Sequence, residues 1–277
     1  MKLIADSGST KTEWCVIDRG KQVRQVFTKG INPYFQTGEE IRKEVEASLV
    51  PLIDDLYIEE VWFYGAGCTS DEKKQIIEGA LLSIKPSSIK IDSDLTGAAR
   101  ALCRRQPGIA CILGTGSNSC LYDGQAVAQN VSPLGYILGD EGSGAVLGKA
   151  LASDCLKKQL PKPLADKFME RYGLTTAGIL EHVYRQPFPN RYLASFSPFL
   201  IENISEPAIY ELVYQSFRSF FVRNVMQYDG FEAYPVSFTG SIAFFFQSVL
   251  IRAARSLSVN IRNIEQTPMP GLIAYHS

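Results

Sequence analysis

The run Asp6-Ser7-Gly8-Ser9-Thr10-Lys11-Thr12 joins two apolar segments and gathers in seven residues the groups that hold an anion. A turn rich in Gly, Ser and Thr aims several backbone N–H groups into one concavity and binds phosphate without a fixed positive charge. Glycine permits close approach, and Ser and Thr add hydroxyl donors. Lys11 adds a cation, and Asp6 is a carboxylate able to hold a magnesium ion directly or through water. Gly114-Thr115-Gly116-Ser117-Asn118 offers a second cradle of similar composition. Either run alone is also what a plain hairpin turn looks like, but two in matching positions would grip a di- or triphosphate from both sides. Phe238-Thr239-Gly240-Ser241-Ile242-Ala243 has the strand-to-helix form in which a glycine lets a flat ligand lie on the backbone. Two carboxylate positions complete the set. Asp94 follows a short apolar segment and opens DLTGAARAL, where it also suits a helix N-cap. Asp140 and Glu141 are adjacent acids framed by glycines in Gly139-Asp140-Glu141-Gly142-Ser143, as many surface turns are.

The elements that must position these groups alternate between strands and helices. LIA, EWCVID and QVRQVF read as three strands separated by DSGSTK and DRGK. Ile41, Val45 and Leu49 recur at four-residue spacing, which predicts an amphipathic helix over 39–50. EEVWFYGAGC predicts a strand ending in a Gly-rich turn, followed by a helix from Ser70 to about Leu82. SSIKIDS predicts a short strand and DLTGAARAL a helix. At 109–122 the pattern restarts: with an offset of 108, Ile4 falls on Ile112, Gly8 on Gly116, Ser9 on Ser117 and Trp14 on Tyr122. That predicts a duplicated α/β unit, with the break near Arg105-Gln106-Pro107-Gly108. The chain from Gly148 to Phe231 reads as helical, with Arg185–Tyr192 as a loop between helices. AYPVSFTGSIAFFFQSVLIRAAR then predicts strand, turn and one helix, and Ile261–Glu265 a last strand.

Composition bounds the rest. At about 150 residues per domain, 277 residues suit about two domains. Lys and Arg number 28 against 29 Asp and Glu, so nothing suggests a grip on nucleic acid or an anionic membrane. Only two histidines are present, His182 and His276, which leaves acid/base work to carboxylates rather than a zinc site or a serine triad. Six cysteines without a C-x-x-C pair read as buried thiols in a reducing compartment. The start, MKLIADSGST, carries too short an apolar run for a secretory signal, and the apolar stretch from Val236 is too interrupted for a membrane span, so a cytoplasmic protein is expected.

With these residues assembled, the sequence resembles the N-acetylglucosamine kinase group within the BadF/BadG/BcrA/BcrD-type ATPases of the sugar kinase/actin-like superfamily. DSGSTKT, GINPY, DSDLTGAA, ILGTGSNS, LGYILGDEGSG and FTGSIA carry the resemblance over nearly the whole chain. It implies an α/β protein of two ribonuclease-H-like (actin-like ATPase) domains, residues 1–106 and 107–267, with ATP in the cleft between them. The closing PMPGLIAYH, within 268–277, is similar to the family's last helix, which packs back on the first domain. Carried over by position, Ser7 to Thr12 and Gly114 to Ser117 look like the phosphate loops, with Asp6 at the magnesium ion and Gly240-Ser241 as the adenosine turn. Asn32 and Asp140 look like sugar-hydroxyl ligands, with Gly135, Tyr136 and Glu141 near the sugar, and Asp94 looks like the catalytic base. The implied reaction is phosphorylation of an amino sugar by ATP and magnesium, most directly at the 6-hydroxyl of N-acetylglucosamine. Where mammalian-type kinases show a tryptophan before GDEGS, this chain has Leu134-Gly135-Tyr136, which leaves glucosamine, N-acetylmuramic acid or another amino sugar open as acceptor. A non-catalytic ATP- and sugar-binding switch and an iron-sulfur activator ATPase are the competing readings. Homodimers are common in such kinases, although no interface is legible in the residues.

Overall fold

The computed structural model describes residues 1–8 and 10–277. Ser9, one of the expected phosphate-loop residues, lies outside the described residues. The chain divides into two compact units, Met1–Pro107 with Tyr122–Val127 and Thr267–Ser277, and Gly108–Leu121 with Ala128–Gln266.

The first unit begins with the three expected strands, β1 (Lys2–Ser7), β2 (Lys11–Asp18) and β3 (Lys21–Lys29). Helix α1 (Gly38–Ser48) is opened by a capping box in which Thr37 accepts from Glu40 N–H and the Glu40 carboxylate accepts from Thr37 N–H. It buries Ile41 and Val45, the face its four-residue spacing predicts. β4 (Glu60–Gly65), α2 (Asp71–Leu81), β5 (Ser88–Ser93) and α3 (Asp94–Cys103) follow. The sheet order is β3-β2-β1-β4-β5, with β1, β4 and β5 parallel and β1-β2-β3 an antiparallel meander.

The second sheet repeats this wiring. It comprises β6 (Gly108–Leu113), β7 (Ser117–Tyr122) and β8 (Val127–Gln129), the last a strand that its three polar-flanked residues did not announce. Then come α4 (Gly135–Leu138), α5 (Gly144–Leu156), α6 (Lys162–Arg171), α7 (Thr176–Tyr184), α8 (Pro189–Ala194), α9 (Ser197–Glu202) and α10 (Pro207–Arg223). Helix α8 starts inside the segment expected to be loop, because Pro189 at the first helical position has its φ preset and no N–H to leave unpaired. β9 (Val236–Thr239), α11 (Ser241–Phe245), α12 (Gln247–Ser256) and β10 (Ile261–Glu265) complete the unit. The single helix expected after Gly240 is two, broken at Phe246, whose ring is buried in the core. Sheet order β10-β9-β6-β7-β8 is the first sheet's topology again, so the duplication predicted from matching turns extends to the whole sheet.

Both faces of the first sheet are covered. Leu3, Ala5, Trp14, Val16 and Phe63 pack on α1 and α2, while Ile4, Cys15, Ile17 and Tyr64 face Ala101 of α3. The last helix, α13 (Met269–His276), adds Met269 and Leu272 to that second face. Burying these two side chains contributes about 3–6 kcal/mol, several times what an exposed ion pair supplies, so apolar contact holds α13. A polar chain orients it. Arg100 donates to Asp92 (2.8 Å) and to Tyr64 Oη (3.0 Å), Tyr64 Oη lies 2.8 Å from His276 Nε2, and Lys2 Nζ donates to the His276 carbonyl (2.7 Å). With Arg100 donating to the phenol oxygen, the phenol proton goes to an unprotonated His276 nitrogen. Burial, assisted by the positive charges of Arg100 and Lys2 and opposed by Glu60, lowers His276 to about 4.

His276 is therefore neutral in the folded protein while the unfolded chain takes up a proton near the ordinary histidine value. Stability from this group is present above about pH 6.5 and is lost as pH falls toward about 4. Between about pH 6.5 and 4 the thermal midpoint of the unaltered protein is expected to fall relative to that of His276→Gln, which keeps an acceptor without titrating, by on the order of 5 °C.

Candidate active site

The residues singled out by sequence sit at one edge of each sheet. In the first, β1, β4 and β5 run in register so that Ser7 pairs with Gly65 and Gly65 with Ser93. Their carboxyl ends lie side by side, and the next residues out are Gly8, Ala66 and Asp94. In the second, Ile112 pairs with Thr239 and Thr239 with Glu265, which puts Leu113-Gly114 beside Gly240. Outside the carboxyl ends of parallel strands is where open α/β sheets bind ligands.

Asp94 is the first residue of α3. The helix cap is Ser93, whose hydroxyl accepts from Thr96 N–H (3.1 Å), so the N-cap role that Asp94 suited belongs to its neighbour. Asp94 is half-buried and accepts from Leu95 N–H (2.9 Å); burial pushes its carboxyl up, and hydrogen bonds from Leu95 and its own amide pull the other way. One turn on, Gly97 lets α3 sit directly on β4: a Cβ there would stand 2.8 Å from Tyr64 Cβ. Asp6 pairs across the hairpin with Glu13, which is 5% exposed, and the two acids share a face of the sheet. Burial, then Asp94, then Glu13 raise Asp6 to about 7, with Lys11 alone opposing.

The first turn is braced by the hydroxyls expected to bind phosphate. Ser7 and Thr12 are fully buried. Ser7 Oγ accepts from Ile31 N–H (3.0 Å) and lies 2.7 Å from Thr12 Oγ1, and the Thr12 hydroxyl donates to the Lys29 carbonyl (3.0 Å). Their hydrogen-bonding capacity is spent inside the fold, so they shape the turn and the exposed Thr10 and Lys11 face outward from it. Lys11 Nζ stands over the Phe27 ring at 5.0 Å. Asn32, after β3, uses its Oδ1 to accept from Tyr34 N–H (2.9 Å) and lies against Gly67 after β4. Its amide NH₂ is what it has to offer a ligand. Cys68, beside Gly67, has its thiol pushed to about 12 by burial and then by Asp94, which brings the Asn32 loop and Asp94 into one neighbourhood.

In the second unit, Gly114 N–H donates to the Gly116 carbonyl (2.9 Å), and the first free amides of α5 hold the cradle: Gly144 N–H to Gly114 O (2.8 Å) and Ala145 N–H to Thr115 O (3.1 Å). Ser117 is buried and its N–H donates to Asp140 Oδ1 (3.3 Å). The N–H groups of Thr115 and Gly116 have no partner among the described residues. Asp140 adopts left-handed backbone (φ 54°) and its Oδ2 lies so near the cradle that a Cβ on Gly116 would meet it at 3.1 Å. Burial raises its carboxyl to about 6 against the pull of Ser117 N–H. Glu141 pairs with Arg223 (2.5 Å) and accepts from Asn224 Nδ2 (3.4 Å), so its carboxylate anchors the end of α10. Gly135 and Tyr136 form α4, where the Tyr136 carbonyl accepts from Lys149 (2.7 Å). Gly240 (φ 115°) is needed for a reason other than ligand access, since a Cβ there would stand 2.3 Å from the Leu113 carbonyl oxygen and separate β9 from β6. Gly114, Thr115 and Ser241 open on one cavity of about 570 Å³.

Comparison with known proteins fits this arrangement. A solved structure of a Porphyromonas gingivalis protein, provisionally named an N-acetylglucosamine kinase, aligns with a TM-score of 0.97 at 49% identity, covering 100% of this chain and 98% of that one. The chain belongs to the N-acetylglucosamine kinase-like family. A Chromobacterium violaceum structure with the same provisional name aligns at TM-score 0.75 and 17% identity over 100% and 98% of the two chains. Component A of the (R)-2-hydroxyglutaryl-CoA dehydratase of Acidaminococcus fermentans shares the fold alone, at TM-score 0.51 and 12% identity over 100% and 96%. No family model and no curated protein matches the chain.

The fold of this kinase-like family is thus the actin-like one that the resemblance implied. The iron-sulfur competitor needs thiolates at the surface to share a cluster between copies, and all six cysteines are buried. Among the described residues no helix is long and apolar enough to cross a membrane. Sequence reasoning missed Glu13, although drawing the hairpin would have set it opposite Asp6. It also missed the far wall of the cavity, Ser195, Ser197, Pro198 and Ile201 with Phe245, for which the only signal was a Phe244-Phe245-Phe246 run too apolar for a surface helix.

The residues around Asp6 fit a divalent cation: Asp94 and Glu13 each push its carboxyl up and only Lys11 opposes them, so the position is short of positive charge. Among the described residues no three His, Cys, Asp or Glu side chains converge as a cage, as suits magnesium, which keeps several waters and takes one or two carboxylates plus phosphate oxygens. Asp6→Asn removes an uncompensated buried charge and is expected to raise the thermal midpoint in chelator-treated protein by a few degrees, while the midpoint gain on adding magnesium and ADP shrinks. An unchanged midpoint with an undiminished gain would show that Asp6 carries no such cost and holds no ion.

Proposed function

We propose that the chain is an ATP- and magnesium-dependent amino-sugar kinase that phosphorylates the 6-hydroxyl of N-acetylglucosamine. The observation that carries the reading is a cavity of about 570 Å³ that opens both on the Gly114-Thr115 cradle and on Ser241 after β9. It pairs an apolar chamber with an anion-binding turn, the two halves of a nucleotide site.

Phosphoryl transfer needs positioning and charge neutralisation more than covalent chemistry. The free N–H groups of Thr115 and Gly116 and the Thr115 hydroxyl donate to phosphate oxygens. Thr10 and Lys11 do the same from the first turn, and Lys11 is held near its working position by Phe27. Asp6 holds the magnesium ion, which supplies neutralisation of the phosphate charge when bound. Asp94 orients the acceptor hydroxyl and takes its proton as the oxygen attacks the γ-phosphorus, while the bond to the β,γ-bridging oxygen breaks and ADP leaves with its electron pair. Burial holds the Asp94 carboxyl above the ordinary carboxylate range, which makes it the stronger base. Asn32 contributes donors and Asp140 an acceptor to the sugar hydroxyls.

Asp94→Asn keeps the shape of the side chain and removes the base. With ATP, magnesium and N-acetylglucosamine, ADP release is expected to fall by about 10²–10⁴ in the variant, with ADP binding by calorimetry unchanged. Absence of sugar-stimulated ADP release in the unaltered protein, across a panel of amino sugars, would defeat the kinase reading.

A further inference from the structure

The chamber beside the second cradle has no charged residue and no carboxamide in its lining. Its walls away from the phosphate end are Ala194, Pro198, Ile201, Ile242, Phe245 and Phe246. The two hydroxyls on that side are already committed as donors: Ser195 Oγ donates to the Tyr192 carbonyl (2.6 Å) and Ser197 Oγ to the Ala194 carbonyl (2.7 Å). What they retain is lone pairs, and these serve the N6 amino group of adenine and the N1–H and N2 amino group of guanine alike. Phe245 is 53% exposed, so the chamber is open to water on its side, and a base edge left hydrated there loses nothing by lacking a protein partner. Recognition of the base then comes from apolar contact with ring faces, which every purine supplies.

We propose that the nucleotide pocket does not discriminate among purine bases, so that GTP and ITP serve as phosphoryl donors as well as ATP. The proposal rests on the reading of this cavity as the nucleotide site. A site that hydrogen-bonds a distinguishing group rejects an analogue by 10⁴–10⁵, whereas apolar pockets tell near-isosteres apart far more weakly. A lining whose uncommitted side-chain hydroxyls, those of Thr115 and Ser241, both sit at the cradle end and not on the apolar walls belongs to the second kind.

Two measurements on the full chain test this separately from turnover. In calorimetry with ADP and GDP, Kd values are expected within about tenfold of each other, and Phe245→Ala, a change at a half-exposed wall, is expected to weaken both by a similar factor of about ten. In initial-rate assays with N-acetylglucosamine and magnesium, kcat/KM for GTP and ITP is expected within about tenfold of that for ATP. A preference for ADP over GDP, or ATP over GTP, beyond tenfold overturns the proposal, as does a Phe245→Ala loss confined to one base. If ADP and GDP bind alike but no sugar is phosphorylated, purine tolerance stands and the kinase reading fails. If neither binds, the cavity is not the nucleotide site and both fail.

Discussion

The register of the parallel strands is the constraint on which the rest depends. β1, β4 and β5 end level with one another, Ser7 beside Gly65 beside Ser93, and β6, β9 and β10 do the same through Ile112, Thr239 and Glu265. A one-residue slip would turn every side chain to the opposite face. It would exchange the Leu3, Ala5 and Phe63 face for the Ile4 and Tyr64 face, and carry Asp6 from the α3 side of the sheet into the apolar contact with α1 and α2. Apolar burial on both faces forbids that slip, so the same contacts that stabilise the sheet align its polar ends.

The turns beyond those ends divide into groups that build and groups that remain available. Ser7 and Thr12 are buried with their hydroxyls spent, and the Ser117 N–H is taken by Asp140. Thr10, Lys11, Thr115 and Gly116 are left facing outward because the others brace the backbone behind them. The acids show the opposite economy. Asp6 bears the repulsion of Asp94 and Glu13 with Lys11 alone opposing, a local cost that the packed core absorbs. Arg100, shared between Asp92 and Tyr64, and Gly97, which seats α3 on that same tyrosine, fix the helix whose first residue is Asp94.

Much of this was legible in the chain by itself. Strand alternation, four-residue spacing and the repeated Gly-Ser turn gave the element order and the duplication, since each is a property of near neighbours along the backbone. The Gly/Ser/Thr composition of the first turn, and the acids at 6, 94 and 140, could be named from residue type and position. What local pattern could not supply was the fate of each polar group. Whether Ser7 is a ligand or a brace depends on Ile31, and whether Glu141 is free depends on Arg223, both distant in sequence. The cap of α3 turns on a smaller matter: Ser93 and Asp94 are equally good caps, and the end of β5 decides for Ser93.

The sequence by itself determined the fold class, the repeated unit and the edge at which its polar turns gather, because these follow from periodicity and turn chemistry. Only the tertiary structure decided which hydroxyls stay free, which acids stand together, and that helices α8, α9 and α11 close a chamber beside Gly114. Hydrogen-bond partners and cavity walls are set by chain segments remote from one another, and burial, which raises Asp6 and lowers His276, exists only once those segments have met.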